Sequence, residues 1–444
     1  MVLDTETSIQ YKEVDNNGKI KRVPYPDKNT SFSWKQPVND FHTIIYGSTP
    51  KEIKLIHNEQ GFNRKLPESV ITMLKNSHTI IGTNLKFDLG YIWHDPDFKG
   101  WLKGGGQIWD IQVARYLMSG QRHAFPSLGE MQRIYLGTKT KKDGISKLFG
   151  RCIDAREIIR RKDERKNWWK LYEYYCYQDG ITPMLIMQKQ YKEAKAKGML
   201  PIIKLYNEYL LALTMIETNG LNIDIPTAET RLQEFTLAMI DNLKKAEDLA
   251  RQYWNDDRLP IMNLQSTQHA SVILFGGEIT CKVKRSTGEI TKTGPNAGKE
   301  KTKFMQEQVE VKGFGLSGDA HSNMTKLGFY QTGEDVINHI YKNSKNEVAK
   351  QYCKFRKVAT GYKQKISTYL NAFLYRSIDG VVYPNYNNTE TITSRLSASQ
   401  PNVQNIPKHG EFYKLIQGLI VAPEGWSCCQ IDFAQLETFC RALL

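Results

Sequence analysis

Two carboxylates stand two residues apart near the start of the chain, Asp4 and Glu6 in VLDTETS. The stretch reads as a strand, on which i and i+2 face the same side. Two carboxylates placed so can share a hard divalent cation such as Mg²⁺ or Mn²⁺. Alone, the same pattern also suits a solvated strand face. A second pair, Asn84 and Asp88 in IIGTNLKFDLGYIW, is four residues apart and shares one helical face, although Asn84 equally sits where a helix wants its N-cap. A third pair, Tyr175 and Asp179 in YYCYQDG, repeats that spacing on a predicted helix, a weak signal by itself in a chain with 23 Tyr.

Farther on, the chemistry changes from carboxylates to donors. TSRLSASQPNVQNIP (393–407) is rich in Arg, Ser, Asn and Gln, and Pro401 and Pro407 forbid a helix interior there. A solvated loop is the plain reading. Yet Arg395, Asn402 and Gln404 can donate to the N3 and O2 acceptors of a duplex minor groove, which are nearly the same for every base pair. KFRKVATGYKQKISTYLNAFL reads as a helix carrying Lys354, Arg356, Lys357, Lys363 and Lys365, suited to phosphates or simply to water. The closing stretch, CQIDFAQLETFCRALL, reads as a buried strand over Cys428–Phe433 ending near Asp432, then an apolar helix from Ala434.

These residues need elements to hold them. Up to about residue 190 the pattern is α/β, with strands at HTIIYGS and HTIIGTN and a Gly turn passing into a helix in GWLKGGGQIWDIQVARYLMSG. Long helices follow from about 191 to 275. One ends at Gly220, and the next starts at a Thr227 cap with Leu232, Phe235, Met239 and Leu243 at helical spacing. From about 278 to 312, Lys and Arg alternate with Thr, Val and Ile around Gly turns, the pattern of a hairpin or excursion. Helices resume at TGEDVINHI and at the Lys-rich stretch, and 381–444 is mixed.

Bulk composition agrees with a multi-domain globular protein. At 444 residues the prior is two or three domains. No run of 18 apolar residues is present, and MVLDTETS is too short and acidic for a signal peptide, so a cytoplasmic location is expected. The seven cysteines show no C-x-x-C spacing and read as reduced core thiols. The net charge of +14 suits a polyanionic partner, most commonly nucleic acid. GFGLSG (313–318) matches a dinucleotide fingerprint by letter only, since no strand–turn–helix unit surrounds it.

Taken in order, D-x-E, N-x-x-x-D and Y-x-x-x-D resemble the DnaQ-type 3′–5′ proofreading exonucleases, an RNase H-like α/β fold. The resemblance implies that Asp4, Glu6, Asp88 and Asp179 hold two Mg²⁺ or Mn²⁺ ions, that Tyr175 orients the attacking water, and that Asn84 meets DNA. Two-metal hydrolysis would acidify the water, stabilise the leaving 3′ oxygen and offset phosphate charge. Asp110, in QIWDIQVARYL, is assigned a structural or capping role.

The C-terminal motifs resemble family A (Pol I-like) DNA polymerases: TSRLSASQPNVQNIP resembles T-G-R-L-S-S-x-x-P-N-L-Q-N-I-P, and QIDFAQLETF resembles the motif D-Y-S-Q-I-E-L-R. NEYLLALTMIETNGLNIDIP and NLQSTQHASVILFG resemble thumb-side segments. The resemblance implies that Asp432 is the first of two metal-binding palm carboxylates, that Glu437 lies beneath the incoming sugar, and that Arg395, Asn402 and Gln404 contact primer–template. Ser394 departs from the family's Gly, and Thr438 and Phe439 from its Leu and Arg.

The expected architecture is therefore an exonuclease domain over 1–190, a mainly helical thumb over 191–380 with an insertion at about 278–312, and the start of an α+β palm over 381–444. The insertion resembles those of phage polymerases. No 5′-nuclease region is expected ahead of the exonuclease strand, and the fingers and second palm Asp would lie on a complementary chain or in missing sequence. A stand-alone exonuclease, or a DNA-binding subunit of a split polymerase, is the alternative.

Overall fold

The computed structural model describes residues 1–7, 40–122, 124–138, 155–290, 298–318, 323–406, 412–429, 431–432 and 434–435, together with the backbone of 11–16 and 19–24. Two compact units result: 1–224 with 375–444, and 225–374.

The first unit is built on a five-stranded sheet. Strand β1 (Val2–Thr7) is followed by a hairpin of β2 (Tyr11–Asn16) and β3 (Lys19–Pro24), then by β4 (Phe41–Gly47) and β5 (Lys54–His57). Helix α1 (Glu68–Lys75) leads to β6 (Thr79–Gly82), helices α2 (Leu85–Ile92) and α3 (Pro96–Lys103) to β7 (Gln107–Asp110), and β7 runs directly into α4 (Ile111–Met118). The sheet order is β5-β4-β1-β6-β7. Its first three strands are antiparallel, whereas β1, β6 and β7 are parallel.

The sequence pattern explains this sheet. FHTIIYG is buried along its whole length, as a central strand covered on both faces requires, and Leu3, Ile44, Tyr46 and Ile80 join one core with Leu85 and Leu89. The 31-residue helix Lys166–Ala196 lies over the same sheet. Gly180 permits its close approach: a Cβ there would stand 2.8 Å from Ile45 Cγ2 and 3.0 Å from Ile53 Cγ2. A second long helix, Leu200–Asn219, ends at Gly220 in the left-handed region, where a Cβ would also meet Val381 Cγ1 at 2.5 Å. Strand β8 (Leu221–Ile223) then pairs with two short strands from the C-terminal part, Val381–Val382 and Ile420–Val421.

The second unit is mainly helical. Helices Ile225–Ala250 and Glu347–Lys365 pack side by side, with Phe235 edge-on to Tyr362 at 5.2 Å between ring centroids. Between them, Gly277–Ile290 and Glu300–Val311 form a long antiparallel hairpin. Its base is buried through Ile279, Cys281, Val309 and Val311, while Phe304 and Met305 are exposed farther out.

Several expectations need correction. QIWD forms β7, where a Gly turn leading straight into a helix was expected; the two large apolar residues, Ile108 and Trp109, supply a parallel edge beside β6. The helix expected to start at Thr227 begins at Ile225, because Pro226 fits a first turn, whose N–H groups have no partner in the helix. The Lys-rich helix is interrupted by a π-helical turn at Ile366–Leu370 before Asn371–Arg376. Residues 428, 429, 431 and 432 form no strand: no described strand lies alongside to complete a ladder, and Cys428, Cys429 and Ile431 are exposed rather than core. The expected helix beyond 435, including Glu437, Thr438 and Phe439, lies outside the described residues.

Candidate metal centre and nucleic-acid interface

Three elements of the first unit converge on one small cleft. Strand β1 supplies Asp4, Thr5 and Glu6; the turn into α2 and its first turn supply Thr83, Asn84, Phe87 and Asp88; the helix Lys166–Ala196 supplies Tyr175 and Asp179. Leu128 completes the wall, and the cavity measures about 220 Å³. The three pairs found in the sequence thus face one space, although up to 175 positions separate them (Asp4 to Asp179).

Within the cleft the carboxylates are not equivalent. Ligand oxygens of Asp4, Glu6 and Asp179 lie within 4.8 Å of one another. That spacing and the all-oxygen donor set fit a hard divalent cation. Asp88 stands outside this trio. It is buried, and its Oδ1 accepts the Thr5 amide at 2.8 Å and the Thr5 hydroxyl at 2.6 Å. Burial pushes its pKa up to about 7 against the lowering effect of those two bonds.

Tyr175 faces the trio. Burial first, and then the negative charge of Glu6, Asp179 and Asp4, hold its hydroxyl well above the usual tyrosine range, and it hydrogen-bonds Asp179. It is therefore a neutral donor. The adjacent Cys176 thiol is raised well above its ordinary value by burial and by the same carboxylates, so it is not a reactive thiolate.

The turn carrying Asn84 has an unusual cap. Asn84 occupies the N-cap position of α2 in the left-handed region, and its side chain makes no capping bond. Asp110 does that work from β7: its Oδ2 accepts the Leu85 amide at 2.7 Å, while Oδ1 accepts Gln112 and Val113 at the start of α4. One buried carboxylate thus caps two helices, the capping role expected of it, and leaves Asn84 exposed at the cleft. Thr5, Thr83, Phe87 and Leu128 line the cleft without having been singled out in the sequence. Thr5 lies between the two motif carboxylates, which is a signal that could have been used.

The polar loop is more ordered than a solvated loop. Asn385–Asn387 and Ser397–Ser399 form a short antiparallel hairpin, followed by a 3₁₀ turn at Val403–Asn405. Arg395 and Gln404 are exposed, whereas Asn402 is half-buried and its Oδ1 is enclosed without a hydrogen-bond partner. Ser394 adopts φ of +59°, the left-handed conformation in which the resembling family has Gly. In the second unit Lys354, Lys357 and Lys363 are exposed, but Arg356 is not a free phosphate ligand. It donates to Leu264 O at 3.2 Å and Thr332 Oγ1 at 3.3 Å. Asp432 is exposed and is not brought to the carboxylate cleft.

Residues 306–444 match the model of DNA polymerase family A. The chain is 26% identical over 147 residues to the thermostable DNA polymerase I of Thermus aquaticus, covering 29% of this chain and 18% of that protein. It is 24% identical over 267 residues to DNA polymerase I of Synechocystis sp., covering 59% of this chain and 22% of that one. The chain thus spans about a fifth of the length of these curated relatives. In three dimensions it resembles the POL domain of Pol1 from M. smegmatis, solved in complex with DNA primer-template and dNTP. The TM-score is 0.57 at 16% identity, covering 88% of this chain and 53% of that one, which shows a shared fold. The similarity to DNA polymerase family A thus lies in residues 306–444, and the relatives matched are DNA polymerases I.

Proposed function

We propose that the chain is the 3′–5′ exonuclease-bearing portion of a family A DNA polymerase of phage type, a cytoplasmic replication enzyme that removes misincorporated 3′ nucleotides. The observation that carries the nuclease reading is the gathering of Asp4, Glu6 and Asp179, with Tyr175 facing them, in one cleft. The sheet order, with an antiparallel half and a parallel half meeting at β1, supports an RNase H-like exonuclease domain. The family match over 306–444 supports the polymerase reading, and the long hairpin at 277–311 supports the phage type.

In this reading Asp4, Glu6 and Asp179 hold Mg²⁺ or Mn²⁺, with Asp88 completing the site for a second ion. Bound divalent ions supply charge neutralisation at the phosphate and a more acidic water. Tyr175 keeps its proton, which it donates in a hydrogen bond to Asp179, and its hydroxyl oxygen orients the attacking water. Asn84 and Thr83 offer polar contacts to a terminal nucleotide, and Phe87 and Leu128 an apolar wall for its base. Arg395, Asn402 and Gln404 track the minor groove of primer–template without reading sequence. Asp432 serves as the first palm carboxylate, and Glu437 contacts the incoming nucleotide. Nucleotide addition in this reading uses two palm carboxylates, of which Asp432 is the first, and a fingers helix that closes on the nucleotide.

The test is hydrolysis of a 3′-labelled single strand with Mg²⁺ or Mn²⁺. Asp4→Ala with Glu6→Ala should abolish cleavage and leave DNA affinity largely intact; retained cleavage in the double variant would overturn the nuclease assignment.

A further inference from the structure

The helix that carries Asp88 also carries a buried cation unconnected with the carboxylate cleft. Lys86, in the first turn of α2, is enclosed, and its Nζ lies 2.6 Å from Oε1 of Glu217 on the helix Leu200–Asn219. Side-chain exposure is 10% for Lys86 and 2% for Glu217. Neither partner is content with the other alone. Lys86 Nζ donates also to Asn385 Oδ1 at 3.1 Å and to the Tyr386 carbonyl, while Glu217 Oε1 accepts the Tyr386 amide at 2.5 Å. Both main-chain groups of one hairpin residue are therefore held by the two members of one buried ion pair. Since Tyr386 is the central residue of its strand, paired with Ala398, the grip is on the hairpin itself.

A second anchor lies a few residues on. Tyr116 on α4 donates its hydroxyl to Thr391 O at 2.6 Å, and Gln121 hydrogen-bonds Ser394 Oγ. Helices α2 and α4 are themselves joined at their N-termini by Asp110. The hairpin that carries Arg395 is thus fastened to the scaffold that positions Asp88 at two places, its strand Asn385–Asn387 and its turn at Thr391 and Ser394.

A buried ion pair is a costly way to gain stability, because desolvation consumes most of the Coulomb attraction, and an apolar pair of similar volume often does as well. What an apolar pair cannot do is bind an amide and a carbonyl. We propose that Lys86 and Glu217 are positioning residues: their function is to fix the register and direction of the hairpin 385–399, and so of the DNA-gripping loop 395–404, relative to the nuclease helix α2. Duplex DNA held by the loop is then presented in a fixed relation to the carboxylate cleft. The DNA half of this inference rests on the reading of the loop given above; the positioning half rests on the geometry alone.

The discriminating variant is Lys86→Met with Glu217→Met. Either single change strands a buried charge and lowers thermal stability sharply, whereas the double change removes both charges and restores a folded protein. Wild-type melting temperature is expected to return within a few degrees, yet amide exchange across 385–399 is expected to stay fast. If the hairpin then holds its binding geometry in about one molecule in ten, Kd for a primer–template duplex rises about tenfold. Tyr386→Pro, which deletes the amide that Glu217 accepts and leaves the ion pair whole, gives the same two signatures should the double variant fold poorly. Wild-type exchange protection of the hairpin in these variants overturns the positioning role. Arg395→Ala with Gln404→Ala separates the two readings: if this variant loses duplex affinity while the methionine pair binds as wild type, positioning fails and the DNA surface stands. If it binds as wild type, the DNA reading of the loop fails, and exchange alone decides the role of Lys86 and Glu217.

Discussion

Burial and the charges of Glu6, Asp179 and Asp4 keep the Tyr175 hydroxyl protonated through the whole working range of pH. In the proposed reaction that hydroxyl orients the water, and a phenyl ring keeps its packing but not that bond. Tyr175→Phe should lower the cleavage rate by about 10²-fold, the order associated with a misplaced reactant, with little change in DNA affinity. A wild-type rate in that variant would remove Tyr175 from the mechanism. His57 adds an acid-sensitive contribution to stability. Burial, and then the nearby Lys162, lower the His57 pKa to about 4, while its ring nitrogen bonds Thr43 at 2.9 Å and its face meets Trp169. The folded value lies below the unfolded value of about 6.5, so the unfolded chain binds more protons between the two. Stability from this group is complete above about pH 6.5 and is lost as pH falls toward 4. The buried Asp88, with its pKa raised to about 7, acts in the opposite sense over this range, so the test is a difference: His57→Gln should gain melting temperature relative to wild type on going from pH 7 to pH 5, and an identical pH dependence in the two proteins would remove this role from His57.

At the scale of elements, the cleft depends on how closely the helix Lys166–Ala196 approaches the sheet. Gly180 follows Asp179 and faces Ile45 and Ile53 with no room for a methyl group. Gly180→Ala improves helix propensity by roughly 1 kcal/mol, but the added carbon forces either the isoleucines or the helix to move, at about 1–3 kcal/mol. The expected outcome is lower net stability, together with a cleavage rate reduced more than DNA affinity, since Asp179 shifts with its helix. A more stable variant with full nuclease activity would show that the sheet yields cheaply. The hairpin 385–399 is the contrasting case. It is short, half-buried and polar, and it takes its definition from Lys86, Glu217 and Tyr116 rather than from an apolar core of its own.

At the scale of the whole molecule, the +14 net charge bears on the proposed binding of DNA. In that reading exposed Lys354, Lys357 and Lys363 would supply affinity without sequence preference, whereas Arg356 is spent on the interior of its own unit. Log Kd for duplex should therefore change linearly with log salt, with about 0.9 for each phosphate neutralised. Lys354→Ala and Lys357→Ala should each reduce that slope by about one contact, and Arg356→Ala should instead lower thermal stability. A flat salt response, or a strong preference for one sequence, would oppose the proposed role in replication.

The residues of the cleft were legible because their spacing matches the geometry of the elements that carry them. Asp4 and Glu6 are offset by one strand repeat, and Tyr175 and Asp179 by one helical turn, so each pair had to point one way once its element formed. The helix stop at Gly220 and the hairpin at 277–311 were equally local, written in a left-handed glycine and in alternation around turns. What no local pattern carries is which faces meet. That Asp4, Glu6 and Asp179 close to within 4.8 Å while Asp88 is taken up by Thr5, and that Asp110 rather than Asn84 caps α2, follow from the order of strands in the sheet. QIWD was missed for the same reason, since a four-residue edge exists only beside β6. Lys86 looked like any helical lysine, and only tertiary structure surrounds it with Glu217 and Tyr386, because a charge taken from water must find partners wherever the chain brings them.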